Sequence, residues 1–198
     1  MRDRTEYSNR KVVAHCLENP SLLAEIAQGL KSNDAAIIGD CAEVMTQVAE
    51  THPELVAPHA KILAPLLTHK TTRVRWETMH ALSLVASLKP RLIASLLTQL
   101  SEMIQRDTSV IVRDYAVDTI ANYAKTSKPA AQNAYPYLKE ALTAFDGKQA
   151  GHALNGLTNI ASALPKLAPE LRKIGEYYLN ERRAVVRKAA KKLIQATE

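Results

Sequence analysis

A period of about 37 residues constrains this chain more than any other feature. Within residues 72–97, Arg75, Thr78, Ala81, Leu82, Val85 and Ala86 fall on one face of an α-helix. Pro90 closes that run, and Leu92, Ile93, Leu96, Leu97 and Leu100 open a second helical face behind it. The pattern recurs with anchors at Ile38, Arg75, Arg113, Ala150 and Arg187, spaced 37, 38, 37 and 37 residues apart. Three residues after each anchor the chain is small: Cys41, Thr78, Ala116, Ala153 and Ala190. Seven after, it is large and apolar: Met45, Leu82, Ile120, Leu157 and Ile194. Pro53, Pro90, Pro129 and Pro165 end the first four helices, and Pro20 ends an earlier copy that carries Val12 and Cys16. Five anchors in step predict helical hairpins that bury their apolar faces only by stacking on their neighbours.

The helices follow from this frame. A polar first helix is predicted over about residues 4–17, and a second runs from Pro20. Ser32, Asn33 and Asp34 form a turn and cap before a helix over 35–50. Pro58 and Pro65 should make the outer helix over 53–69 start late or bend, and Pro136 should interrupt the one over 130–145. Further helices are expected over 72–88, 90–105, 109–124, 147–164, 168–180 and 183–197. Gly147 reads as a turn residue, and Gly151 as a point of close approach or of mere tolerance.

The 198 residues suffice for one domain, residues 1–198, or one short solenoid. Hydrophobic residues make up 46%, enough to bury a core, and no sustained strand alternation occurs, so the expected class is all-α. Cys16 and Cys41 lie on predicted core faces and read as reduced packing residues. No run approaches the ~18 apolar residues of a membrane span, so the expected setting is cytoplasmic, with the nucleus also compatible and no membrane partner.

Val74-Arg75, Val112-Arg113 and Val186-Arg187 resemble the valine–arginine signature of HEAT repeats. In that family an aspartate precedes the arginine by six positions. Asp107 stands six before Arg113, and Glu181 six before Arg187. His69 departs from the pattern before Arg75, and Ile38 and Ala150 replace the arginine itself. The resemblance spans about residues 20–198. It implies a right-handed α-solenoid of about five helical hairpins behind an N-terminal capping helix, with the valine–arginine helices lining the concave surface. It also implies structural arginines whose buried pairing with the acidic residue links adjacent turns.

On that expectation, binding residues occupy inner-helix offsets not used for packing. They are Asp40, Glu43 and Gln47; Glu77 and His80; Asp114, Asp118 and Asn122; His152, Asn155 and Asn159; and Lys188 and Lys192. Leu84 shares the face. The series grades from acidic through neutral to basic, suiting a peptide or helix of complementary charge. A basic patch closes the chain: Arg182, Arg183, Arg187, Lys188, Lys191 and Lys192. From residue 166 onward nine Lys and Arg stand against four Glu, which is +5 of the overall +6. Such a patch attracts phosphates or acidic proteins, or keeps an end repeat soluble.

No phosphate-binding glycine loop, nucleophile elbow or Cys-x-x-Cys occurs. Glu77-x-x-His80 stands alone where a di-iron bundle site needs two such pairs, so no metal and no cofactor are expected. Solenoids that act as alkylated-base DNA glycosylases set an acidic residue and aromatics on a basic concave face. Trp76, Asp114 and Tyr115 are the residues for those roles, but Glu43, Glu77, Asp114 and Asp118 would repel a DNA backbone. The expected function is a non-enzymatic scaffold that binds a protein or peptide segment on its concave surface. The runner-up is a nucleic-acid-binding protein, the glycosylase included, acting through the C-terminal patch.

Overall fold

The computed structural model of the chain describes residues 2–198, and side chains from Tyr7 onward. Among the described residues every regular element is helical. They form two compact units, residues 1–89 and 90–198. The first unit holds α1 (Arg2–Glu18), α2 (Leu23–Gly29), α3 (Ala35–Thr51), α4 (Pro53–Val56), α5 (Ala60–Leu63) and α6 (Thr72–Val85). The second holds α7 (Pro90–Arg106), α8 (Val110–Ala124), α9 (Lys128–Ala141), α10 (Ala144–Gly147), α11 (Ala150–Ala163), α12 (Ala168–Tyr177) and α13 (Ala184–Gln195).

Within the first unit α3 packs between α1 and α6. Within the second, α11 packs between α8 and α13, while α7, α9 and α12 back this inner row. The small and large positions of the 37-residue pattern are the contacts. Met45 and Leu82 are fully buried, as are Ala116, Ile120, Ala153, Leu157 and Ala190. Side chains cap helix starts at the expected Asp34 and also at Ser127, which the sequence did not single out. Asp34 Oδ1 accepts from the Ala36 N–H at 2.8 Å, and Ser127 Oγ from that of Ala130 at 3.1 Å.

Pro58 and Pro65 behave as expected. Residues 53–68 form four short pieces, α4 and α5 alternating with 3-10 turns at Ala57–His59 and Ala64–Thr68. Pro136 does not: it lies inside an unbroken α9, so the predicted interruption is corrected. Gln132, whose carbonyl loses its helical partner, and Pro136 are both exposed, and water can take the place of the missing N–H.

The loops explain how loosely the signature is kept. Arg75 Nη1 donates to the His69 carbonyl at 2.9 Å, and Arg187 Nη1 to that of Glu181 at 2.8 Å. Arg113 Nη1 donates to the Asp107 carbonyl. Each arginine thus staples the backbone six residues upstream, and a carbonyl is present whatever the side chain there. The side chain six upstream has its own task, accepting the N–H two residues on. Ser32 Oγ does this for Asp34, His69 Nδ1 for Thr71, Asp107 Oδ1 for Ser109 and Glu181 Oε1 for Arg183. Any short acceptor can hold that turn, so serine or histidine substitutes for aspartate.

The repeat anchored at Ala150 has neither the arginine nor, at Ala144, an acceptor, and its loop is different. Phe145, Asp146 and Gly147 have φ of 46°, 56° and 73°, three successive left-handed residues, so Gly147 is in a turn as expected and the turn takes in Phe145, where the outer helix was expected to extend. Glycine is at ease there and the other two are not. Arg183 Nη2 donates to the Gly147 carbonyl at 2.9 Å and Tyr178 Oη to that of Leu142 at 3.2 Å, so α12 and its following loop supply the staple.

Close approach occurs at Gly156 rather than Gly151. A Cβ on Gly151 would meet Val186 at an ordinary 3.8 Å, whereas one on Gly156 would lie 2.8 Å from Leu138 Cδ2 and 3.0 Å from Ala121 Cβ. Gly156→Ala should therefore lose about 1–2 kcal/mol despite its better helix propensity, because α8, α9 and α11 must part. Urea unfolding measures this, and an unchanged midpoint would show that Leu138 repacks freely.

Candidate functional site

In the first unit the acidic residues of the inner row are already engaged. Arg73, in the first turn of α6, places Nη2 2.7 Å from Asp40 Oδ1 and 2.6 Å from Glu43 Oε2 on α3. Glu43 Oε1 also accepts from Gln47 Nε2 at 3.0 Å. Glu77 is buried, 7% exposed, and its backbone carbonyl accepts from Thr46 Oγ1 at 2.9 Å. Burial, then the neighbouring Glu43 charge, pushes the Glu77 carboxyl up to about 7 against the pull of Arg73. His80 is half-buried, and its carbonyl accepts from Ser83 Oγ.

The sequence reading missed Arg73, although a signal exists. It stands 33 residues after Asp40, four short of a full repeat, which places it beside Asp40 on the next inner helix.

The second unit brings the remaining predicted residues onto three successive inner helices. On α8, Asp118 Oδ1 lies 2.8 Å from His152 Nδ1 of α11, and Asp114 Oδ1 lies 3.9 Å from His152 Nε2. The Asp118 hydrogen bond, reinforced by the charges of Asp118 and Asp114, holds the His152 imidazole above its usual range despite partial burial. Behind this cluster Gln149, fully buried and not singled out from the sequence, donates Nε2 to Asp114 Oδ1 at 3.1 Å. Its Oε1 accepts from Arg113 Nε at 3.4 Å. Further along the row, Asn122 Oδ1 accepts from Lys125 Nζ at 2.7 Å, and Asn159 Nδ2 donates to the Ala121 carbonyl at 3.2 Å. Asn155 is exposed.

Asn155 faces a pocket of about 650 Å³ against α13, lined also by Ala184, Val185, Arg187, Lys188, Lys191 and Lys192. The basic patch is therefore divided by role. Arg183 and Arg187 hold loop carbonyls, and Arg183 also pairs with Glu181 at 3.2 Å. Lys188, Lys191 and Lys192 are exposed around the pocket, and among the described residues no carboxylate lies within ion-pair reach of them. Arg182 is exposed beside the loop.

The residues named for a catalytic role fall in different units. Trp76 belongs to the first unit, and Asp114 and Tyr115 to the second, where Asp114 is held by Gln149 and faces His152. Among the described residues no three of His, Cys, Asp or Glu converge as metal ligands. Both cysteines are free thiols, and no described helix is long and apolar enough to cross a membrane.

No protein-family model and no curated protein sequence matches the chain. Solved structures do. An engineered protein from the Northeast Structural Genomics Consortium superposes with a TM-score of 0.77 at 20% identity, covering 99% of this chain and 87% of that one. A designed armadillo repeat protein, solved in complex with the peptide (KR)4, gives 0.77 at 20% identity over 94% of this chain and 85% of its own. A second designed armadillo repeat protein gives 0.75 at 17% identity over 94% and 86%. At such identities the likeness concerns the fold, and the chain is an all-α repeat protein with the HEAT- and armadillo-like solenoid fold.

Proposed function

We propose that residues 1–198 act as one repeat domain, a non-enzymatic interaction module that binds a protein or peptide segment on its inner helices. The observation that carries this is the row on α8, α11 and α13. There Asp118, His152, Asn155, Lys188 and Lys192 lie half or fully exposed on adjacent helices, in an order that changes sign of charge. A surface of this kind orients a chain laid across it. Peptide binding by a designed protein of the same fold supports the reading in general terms. Free Cys16 and Cys41 suit a reducing compartment, the cytoplasm or nucleus.

The test is panning of a displayed peptide library, with a variant carrying Asp118→Lys, Asn155→Asp and Lys192→Glu as counter-selection. Recovered peptides should bind the natural sequence at least tenfold more tightly than the variant. Nucleic acid is the competing reading, favoured by the lysine pocket. If single-stranded DNA or RNA binds more tightly than any recovered peptide, with an affinity that collapses between low and physiological salt, the interaction-module reading is wrong.

A further inference from the structure

The pocket between α11 and α13 has a chemistry that narrows the partner. Its cationic heads are Lys188, Lys191 and Lys192, with Arg187 beside them. Three surface cations elsewhere in the second unit have carboxylate partners: Lys139 with Glu170 at 2.6 Å, Arg172 with Glu176 at 3.1 Å, and Arg183 with Glu181; other exposed cations, such as Lys148 and Lys173, stand singly rather than clustered around a pocket. The three pocket lysines have no such partner, so their mutual repulsion is uncompensated within the described chain. Beside them the pocket offers Val185, which is 67% exposed, together with Ala184 and Ala189. Asn155 adds an amide that can meet a peptide backbone.

We infer that this pocket seats an acidic, apolar-studded peptide segment, its carboxylates on Lys188, Lys191 and Lys192 and an apolar side chain on Val185. The inference rests on the interaction-module reading and names the partner chemistry within it. About 650 Å³ holds several side chains. One feature favours a peptide over a nucleic-acid strand. No aromatic side chain lines the pocket to stack a base, and the exposed Tyr177 lines a different pocket with Tyr178 and Glu181. The polarity is opposite to that of the basic peptide bound by the designed armadillo protein.

The experiment is a fluorescence-anisotropy titration of the full chain with four labelled probes. They are an eight-residue peptide of six glutamates and two leucines, the same peptide with glutamine for glutamate, (KR)4, and an eight-nucleotide oligothymidylate. The acidic peptide should bind at least tenfold more tightly than the other three. Lys188→Glu with Lys192→Glu should weaken it more than tenfold, and Val185→Ser about threefold, with helix content unchanged by circular dichroism because all three positions are exposed. Equal or tighter binding of the oligothymidylate, insensitive to Val185→Ser, would reveal a general polyanion site and overturn the inference. So would equal binding of the glutamine peptide or preference for (KR)4, while the interaction-module reading would survive. Failure of these peptides and of every library peptide to bind would sink both.

Discussion

Replacing Arg113 by alanine is expected to destabilise the chain by about 2–4 kcal/mol, through the cavity and the hydrogen bonds lost, which for a protein of this size lowers the melting temperature by roughly 10 °C. Arg113 is 1% exposed. Its guanidinium donates to the Asp107 carbonyl and to Gln149, and the central carbon lies 3.6 Å from the centre of the Phe145 ring. Truncation leaves a cavity, an unsatisfied Gln149 and a left-handed loop without the cation beneath its aromatic ring. Arg75 makes the same backbone staple but is half-buried, so Arg75→Ala should cost about 1 kcal/mol. Arg113→Lys should fall between, since an ammonium cannot serve both Asp107 and Gln149 with a planar fork. Urea midpoints of the three variants measure this. A loss at Arg113 no larger than at Arg75 would show that the buried network is replaceable by repacking.

Glu77→Gln is expected to stabilise the protein, and to do so only at higher pH. The native carboxyl titrates at about 7 rather than 4.5, so between those values the native state holds more protons than the unfolded one. Stability falls as pH rises through that window, and above it the whole penalty for a buried carboxylate near Glu43 and Glu50 is present. The interval corresponds to about 3 kcal/mol, with the opposing pull of Arg73 already included. Glutamine keeps the shape and removes the charge. At pH 8 the variant should unfold at a clearly higher urea concentration than the parent, and near pH 4.5 the two should coincide. A variant that is less stable at pH 8 would mean that Arg73 more than compensates the buried charge.

The helices were legible because their signals are local. Apolar spacing of 3.6, a capping Asp34 and the prolines that follow the inner helices act within a few residues of one another. Pro136 shows the limit of such reading. The residue breaks a helix only when the orphaned carbonyl cannot find water, and that depends on which side of α9 faces outward. The loop over residues 142–149 shows another. Nothing in Thr143-Ala144-Phe145-Asp146 announces left-handed backbone, which is held by Arg183 and Tyr178 from a repeat further on and by Arg113 from a repeat before.

The candidate site divides in the same way. Sequence alone determined that the chain is a series of helical hairpins of about 37 residues, where the small contact positions fall, and which polar positions lie on the inner helices. Tertiary structure decided which of those polar groups remain available. Asp40 and Glu43 are paired with Arg73 and Glu77 is buried, whereas Asp118, paired with His152, stays half-exposed and Lys188, Lys191 and Lys192 have no ion-pair partner among the described residues. The pairs lie 30 to 34 residues apart in the chain. Whether two such residues meet is set by how neighbouring helices pack. Charge–charge attraction in salty water is screened beyond about 10 Å, so that packing decides which charges pair inside the protein and which face solvent.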